Sequence, residues 1–571
     1  MSSRDTGLRA EIDDLDLRFW SWRAGQAPRT RDDLPRLDRP AGWRPAWSAL
    51  DVEGYRRDIE DFAAAHEALV ARLDQIRAGA RVGGSVDERA DEVDVRLLGS
   101  AIARARFELD GIASWRRDPW FYLDQTIGTV FDLLLPPPPL DEQRCAELLA
   151  RLESFGATLA AGKDNCTGHL VLELAEIAHE MAPGAGPALM ASVAELGAYV
   201  GPEWSDRLGP AAKVAAAELG SYAEWLAAAR VDARPLGGVG EDLFGRYLYE
   251  VALLPFTPSE LLSAGRQEWD RAVSFELFER HREPGAAWPD LPANASEQAR
   301  TEALAETEVR RYYEQHDILS QPESLRHYLN APRPPYLEPL RRLGVTDDLT
   351  GPDRLDQDGV SYVPLPTPDL PYFYRANAAD PRAGIVHEGA HYQQLALAWR
   401  HPRPARRHFY DSCPNEGIAF YNEEMLTQAG LFDDAPVTRQ IIYNFMRLRA
   451  LRVEVDVRLA LGDVTVEQAG ELLEHRVPMD RETATEEAAF FAAIPAQGLS
   501  YTIGKLQILR LLADVRGAEG PSFSLREFHD WLWRNGNVPL SLLRYERLGD
   551  RSELDRVDEL SAGQRRRYRL V

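Results

Sequence analysis

The sequence predicts a mainly α-helical fold with one small β element. Three observations lead there. Apolar residues recur at helical spacing in segment after segment, as in YRRDIEDFAAAHEALVARLDQI. A run of Tyr, Val, Phe and Pro that reads as short extended pieces stands out at 359–377, GVSYVPLPTPDLPYFYRAN. The composition, 44% apolar and 27% charged over 571 residues, is that of a globular protein able to bury a large core.

Taken in order, residues 1–50 read as a short helix and then an extended segment that wraps the body, RFWSWRAGQAPRTRDDLPRLDRPAGWRPAWS. Helices follow at 52–78 and 97–115, and the prolines at 136–139 make a stiff connector. Helical spacing resumes at 140–161, 169–182, 187–199 and 210–229. Gly237-Gly238-Val239-Gly240 is the best linker candidate. It divides an N-terminal helical half, 1–235, from a second half, 236–571, the two being expected to form one continuous body. Helices continue through LFGRYLYEVALL, PSELLSAGRQEWDRAVSFELFERH and 294–316. The extended stretch at 359–377 has two readings: an edge that could take a peptide by strand addition, or a hairpin that closes the core. After position 430 the helical segments are RQIIYNFMRLRALRVEVDVRLALG, VTVEQAGELLEHR and TEEAAFFAAI.

A net charge of −25 argues against nucleic acid or an anionic membrane as the main partner, since both repel an acidic surface. No run of 18 apolar residues occurs, and the polar N-terminus lacks an apolar signal core, so a cytoplasmic protein is expected. Cys145, Cys166 and Cys413 form no C-x-x-C pair, so neither a thiolate zinc site nor a disulfide framework is suggested. Cys413 reads as a small buried hydrophobe.

The chemistry gathers at His387-Glu388-Gly389-Ala390-His391, an H-E-x-x-H pattern. On a helix, residues at i and i+4 share a face, so both imidazoles can reach one cation. Glu388 then stands where it can take a proton from a water. Two inert core histidines are the alternative. His179-Glu180-Met181-Ala182-Pro183 begins the same way but has proline at the second ligand position, and reads as a helix end. A catalytic zinc usually takes three protein ligands. Pro414 and Gly430 bracket a second helix, separated from the first by a loop that His401-Pro402-Arg403-Pro404 breaks open. Glu416, in its first turn, is the third-ligand candidate, whereas Glu423 and Glu424 read as a solvated face. The expected cofactor is one Zn2+ per chain, although two His and a carboxylate also suit Fe, Mn or Co. A break at 495–505 reads as a glycine-containing loop opening a helix, and could hold Tyr501 over a cleft as an oxyanion donor; a core tyrosine is the alternative.

Four segments together, HEGAHYQQLALAW, NEGIAFYNEEMLTQAGLF, RALRVEVDVRLALG and PAQGLSYTIGKLQILRL, resemble the bacterial family called domain of unknown function 885. That family is related in fold to the carboxypeptidase Taq group of zinc metallopeptidases. The resemblance is strongest over 360–515 and extends to DPWFYLDQTIGTVFDLL. It implies an elongated, zincin-like helical body with a deep central cleft and the metal at its floor. Glu416, Gly417, Ala419 and Tyr421 match the family's E-G-W-A-x-Y, and Pro495, Gln497, Leu499, Ser500, Tyr501, Ile503 and Gly504 match its P-G-Q-A-L-S-Y-K-I-G. The H-E-x-x-H here lacks the Pro-Gly insertion common in the family. Ile418, Ala460 and Phe490 stand where a Trp, a His and an Arg are usual.

The function expected is zinc-dependent hydrolysis of a peptide or small amide, in carboxypeptidase fashion if a cation holds the terminal carboxylate. His387, His391 and Glu416 would hold the metal, with Glu388 and Tyr501 catalytic. Arg449, Arg452 and Gln497 are the substrate-binding candidates, although the two arginines also read as partners of Glu454 and Asp456. The alternatives are hydrolysis of a non-peptide small molecule in the same pocket, motivated by the three departures, and a non-catalytic helical scaffold. Oligomeric state is left open, with a homodimer among the options.

Overall fold

The computed structural model describes residues 3–30, 37, 39–44, 46–78, 86–367, 369–477 and 479–568. Helices carry most of it, and one apolar core cluster runs from Leu8 to Val557, drawing on both halves of the chain. No described helix is long and apolar enough to cross a membrane.

Among the described residues the sheet has three short strands: β1 (Tyr328–Pro332), β2 (Asp347–Asp348) and β3 (Gly359–Val363), in the order β1-β3-β2. Tyr328 pairs with Gly359 in the parallel β1–β3 ladder, and Asp347 with Ser361 in the antiparallel β2–β3 pair. The expected strand is therefore β3, but it lies in the middle, so strand addition at its edge is ruled out. Prolines after Val363 end it, and Tyr372–Ala379 is helix rather than extended chain, with Pro371 at its start.

The helices differ from expectation in ways that have local causes. The first runs Ser3–Gln26 and is long; the extended segment after it falls partly at 31–36, 38 and 45, outside the described residues. The helix expected at 97–115 spans Val86–Arg106, then widens into a π turn, Phe107–Ile112, and stops at Ala113, whose φ of 49° is left-handed. The segments 169–182 and 187–199 are one helix, Leu172–Leu196, which continues through Pro183 and Pro187. Its buried stripe, including Ala178, Ala182, Ala185 and Leu189, packs on the helix Pro202–Ala229, and that packing outweighs the lost N–H donors. So His179 does not mark a helix end. Gly238, in the linker candidate, is packed: a Cβ there would stand 2.3 Å from the Gly462 nitrogen.

Four helices frame the site. They are the motif helix Arg382–Ala398, the ligand helix Ser412–Ala429, the arginine helix Pro436–Leu461 and the tyrosine helix Gln497–Glu519. The ligand and tyrosine helices touch backbone to backbone. A Cβ on Gly504 would sit 1.9 Å from the Cys413 carbonyl oxygen and 2.8 Å from the Gly417 Cα. Glycine at both 417 and 504 is what lets Glu416 and Tyr501 belong to one site. The tyrosine helix begins at Gln497, directly after Ala496 at φ 75°, so Tyr501 is a helical residue and not a loop residue.

Candidate metal centre

His387 and His391 lie one turn apart on the motif helix, both buried and both facing the first turn of the ligand helix. Asp411 caps that turn, accepting from the Cys413 N–H at 2.9 Å, and is itself held by Arg104 at 2.9 Å. Glu416 points back at the two imidazoles: its Oε2 is 3.6 Å from His387 Nε2 and 3.5 Å from His391 Nε2. Among the described residues this is the one His/Cys/Asp/Glu group whose ligand atoms lie together, all within 4.8 Å of one another. Glu416 Oε2 is buried without a hydrogen-bond partner. Tetrahedral zinc with bonds of about 2.0–2.1 Å separates neighbouring ligand atoms by about 3.3 Å, so the observed spacings fit a cation at the point of convergence. They are too long for good hydrogen bonds.

The carboxylates behind the site correct the expectation of a solvated face. Glu423 is buried and accepts from His387 Nδ1 at 2.5 Å, while Arg449 donates to its other oxygen at 3.0 Å. A proton held on Nδ1 leaves the Nε2 lone pair facing Glu416, the tautomer a cation needs. Burial and the nearby Arg449 oppose charge on His387, but Glu423 and Glu416 outweigh them and raise its pKa to about 9. Burial alone would raise the Glu416 pKa; the two histidines outweigh it and hold the carboxyl far below the usual carboxylate range. A cation entering the site therefore displaces a proton from His387. Glu424 is also buried and binds Lys505 at 2.8 Å and Arg271 at 2.8 Å; Lys505 reaches Glu268 at 2.7 Å. The signal for Glu423 was present in the sequence: it follows Glu416 by seven residues, two helical turns on the same face.

Tyr501 stacks beside His387, ring centroids 6.4 Å apart and planes at 17°. The Arg449 and Arg452 guanidinium carbons lie 5.4 and 5.0 Å from its ring centre. Neither arginine pairs with Glu454 or Asp456. Arg449 holds Glu423, and Arg452 holds Glu487. Asp456 instead accepts from the Ala496 and Leu499 N–H groups, and Glu454 binds Arg458 and Arg476. Arg449 also lies 3.3 Å from His387 Nδ1. Gln497 is buried, its carbonyl accepting from the Ser412 hydroxyl at 2.6 Å.

Glu388, His391 and Asn415 open onto a cavity of about 480 Å3 whose far wall comes from the N-terminal half, including Trp43, Phe131 and Arg151. That wall is rich in arginine despite the acidic chain. Arg39 donates to the Ala24, Ala27 and Pro28 carbonyls and covers one face of Trp43 at 4.1 Å; Arg151 covers the same ring at 4.3 Å. Arg151 is buried, with Glu147 at 3.8 Å, and its Nε and Nη1 have no acceptor. Sequence reasoning missed these groups because nothing local links positions 39 and 151 to position 388. Ile418, Ala460 and Phe490 are absent from the cavity wall: Ile418 and Ala460 are core, and Phe490 packs beside Phe491 at 5.9 Å.

The sequence matches the family described as "Bacterial protein of unknown function (DUF885)" over residues 46–546. No curated protein matches. Two solved structures share the fold. A "putative lipoprotein" from Colwellia psychrerythraea is 15% identical with a TM-score of 0.71, over 98% of this chain and 100% of that one. A "putative lipoprotein of unknown function" from Shewanella oneidensis is 18% identical with a TM-score of 0.64, over 95% of this chain and 99% of that one.

Proposed function

We propose that this chain, which belongs to the DUF885 family of bacterial proteins, is a zinc-dependent hydrolase of peptide bonds. The observation that carries the reading is the convergence of His387 Nε2, His391 Nε2 and the partnerless Glu416 Oε2 beside a cavity that His391 and Glu388 line. His387, His391 and Glu416 would hold the metal. When bound, zinc lowers the pKa of a water toward 7 and polarises a carbonyl. Glu388 takes the proton of the attacking water and returns it to the leaving amine. Tyr501 donates its hydroxyl to the oxygen that gains charge. Glu423 fixes the His387 tautomer, and Arg449 keeps Glu423 ionised. A carboxypeptidase form of the reaction needs a cation for the substrate's carboxylate, and Arg151, with two donors lacking acceptors, replaces Arg449 and Arg452 as the candidate.

The test is a peptide library digested with the zinc-loaded protein beside Glu388→Gln. Cleavage by the native protein, lost in the variant, supports the reading; cleavage unchanged by the substitution contradicts it. Hydrolysis of a non-peptide amide in the same cavity is the second reading.

A further inference from the structure

A second cavity, about 120 Å3, adjoins the first. The two share wall at Pro28, Arg29, Thr30 and Arg104, so they lie side by side. We propose that this second cavity is the side-chain pocket of the substrate site, and that the substrate carries a large apolar side chain, aromatic or branched aliphatic. The identity of the occupant as a substrate side chain rests on the hydrolase reading above.

Chemistry of the wall points to that occupant. Trp47, Phe107, Leu109, Ile112, Tyr247 and Ile494 supply apolar surface. Several polar groups of the same wall are already paired within the protein. Tyr55 and Glu108 both hold Arg23, and Asp124 accepts from Arg29 at 2.7 Å and from Trp120 at 3.0 Å. A polar substituent entering here would lose water against a mainly apolar wall, a cost that an apolar one does not carry. The volume is close to that of engineered apolar cavities of about 150 Å3 that take up benzene.

The backbone shows that the cavity is built and not a packing flaw. Three π turns, Phe107–Ile112, Asp124–Gly128 and Tyr247–Val251, each place a residue in its wall. Such turns are rare and gather at functional sites. Ala113, left-handed at φ 49°, adjoins the wall residues Ile112 and Ser114. At the other side, Ile494 and Pro495 lead directly into the turn that starts the tyrosine helix, so the pocket is tied to the element that carries Tyr501.

Two measurements on the full chain test this. First, binding of 4-fluorotoluene is followed by fluorine NMR in the native protein, Glu388→Gln, and the pocket-filling variants Ile112→Trp and Ala493→Met. Binding in the native protein and Glu388→Gln, lost in a pocket variant whose circular dichroism and thermal unfolding remain native, supports the pocket. Two filling variants from separate segments of the wall guard against one failing to fold. Absence of binding to the native protein, or binding that survives both fillings, overturns it. Second, tetrapeptides with Phe, Leu, Ala or Asp placed at each position in turn, with free and blocked ends, are digested and read by mass spectrometry. The proposal expects Phe or Leu at one position to raise kcat/KM over Ala by about 10–100-fold, and each filling variant to erase that preference while sparing Ala. Cleavage without preference for an apolar residue overturns it. Fluorotoluene binding with no peptide cleaved upholds the apolar pocket and overturns the peptidase reading instead.

Discussion

Adding one methyl group at Gly504 should loosen the metal centre from behind. The new Cβ would stand 1.9 Å from the Cys413 carbonyl oxygen. Ordinary carbon–oxygen contact begins at about 3.3 Å, so the ligand and tyrosine helices must part by roughly 1.4 Å where they cross. The atom struck is backbone, and no rotamer change can relieve it. Overpacking of this kind costs about 1–3 kcal/mol, and the upper end applies here. The crossing is one residue from Glu416 and three from Tyr501, so the displacement passes into the site. Misplacement of a reacting group by about 1 Å costs roughly 100-fold in rate. The assay is urea denaturation of Gly504→Ala, with zinc affinity measured by chelator competition. Gly517→Ala is the control, on the same helix with nothing within 4 Å of its Cβ. It should be neutral or stabilising by up to about 1 kcal/mol. If Gly504→Ala matches native stability and zinc affinity, the backbone contact does not position the site and the reasoning fails.

Other substitutions probe the surrounding shell. Glu423→Gln weakens the acceptor on His387 Nδ1 and should lower zinc affinity by about 10–100-fold, measured by the same competition. Lys505→Met leaves Glu268 and Glu424 with Arg271 as their remaining cation in a buried network, and should cost about 3–5 kcal/mol in urea denaturation. His529 is buried, with Nδ1 donating to the Ile318 carbonyl at 2.8 Å and Nε2 accepting from Tyr421 at 2.7 Å. Burial, only partly offset by that carbonyl and by Asp530, lowers its pKa to about 4. A depressed histidine favours the folded state above its unfolded pKa of about 6.5 and loses that contribution as pH falls toward 4, a swing of about 3 kcal/mol. Denaturation at pH 7 and pH 4 should show that loss, reduced in His529→Gln; equal pH slopes for the two proteins would refute it.

What the sequence made legible follows from the range of the physics involved. His387, His391 and Glu416 could be read because helical spacing fixes the first two and a turn signal places the third. The long helices were readable from their apolar stripes, as at 49–78 and 436–461. The helix through Pro183 and Pro187 was misread because local propensity there is overruled by packing against Pro202–Ala229. The π turns were invisible: FELDGI and YLYEV carry no signal that separates a wide turn from an ordinary one. The expected pairing of Arg449 with Glu454 or Asp456 failed because the partner of a guanidinium is a tertiary fact. Its carboxylate, Glu423, lies on the preceding helix. The chamber wall at Arg39 and Arg151 is farther still, brought to Glu388 from the other half of the chain.

A metal held by His387, His391 and Glu416 is the central proposal, and metal content tests it most directly. The protein is purified, dialysed against zinc and then against buffer, and analysed by mass spectrometry beside His387→Ala and Glu416→Ala. About one zinc per chain in the native protein, lost in both variants, is the result expected for this ligand set. No retained metal in the native protein, or equal metal in all three, would contradict it and leave His387 and His391 as core histidines in a helical scaffold.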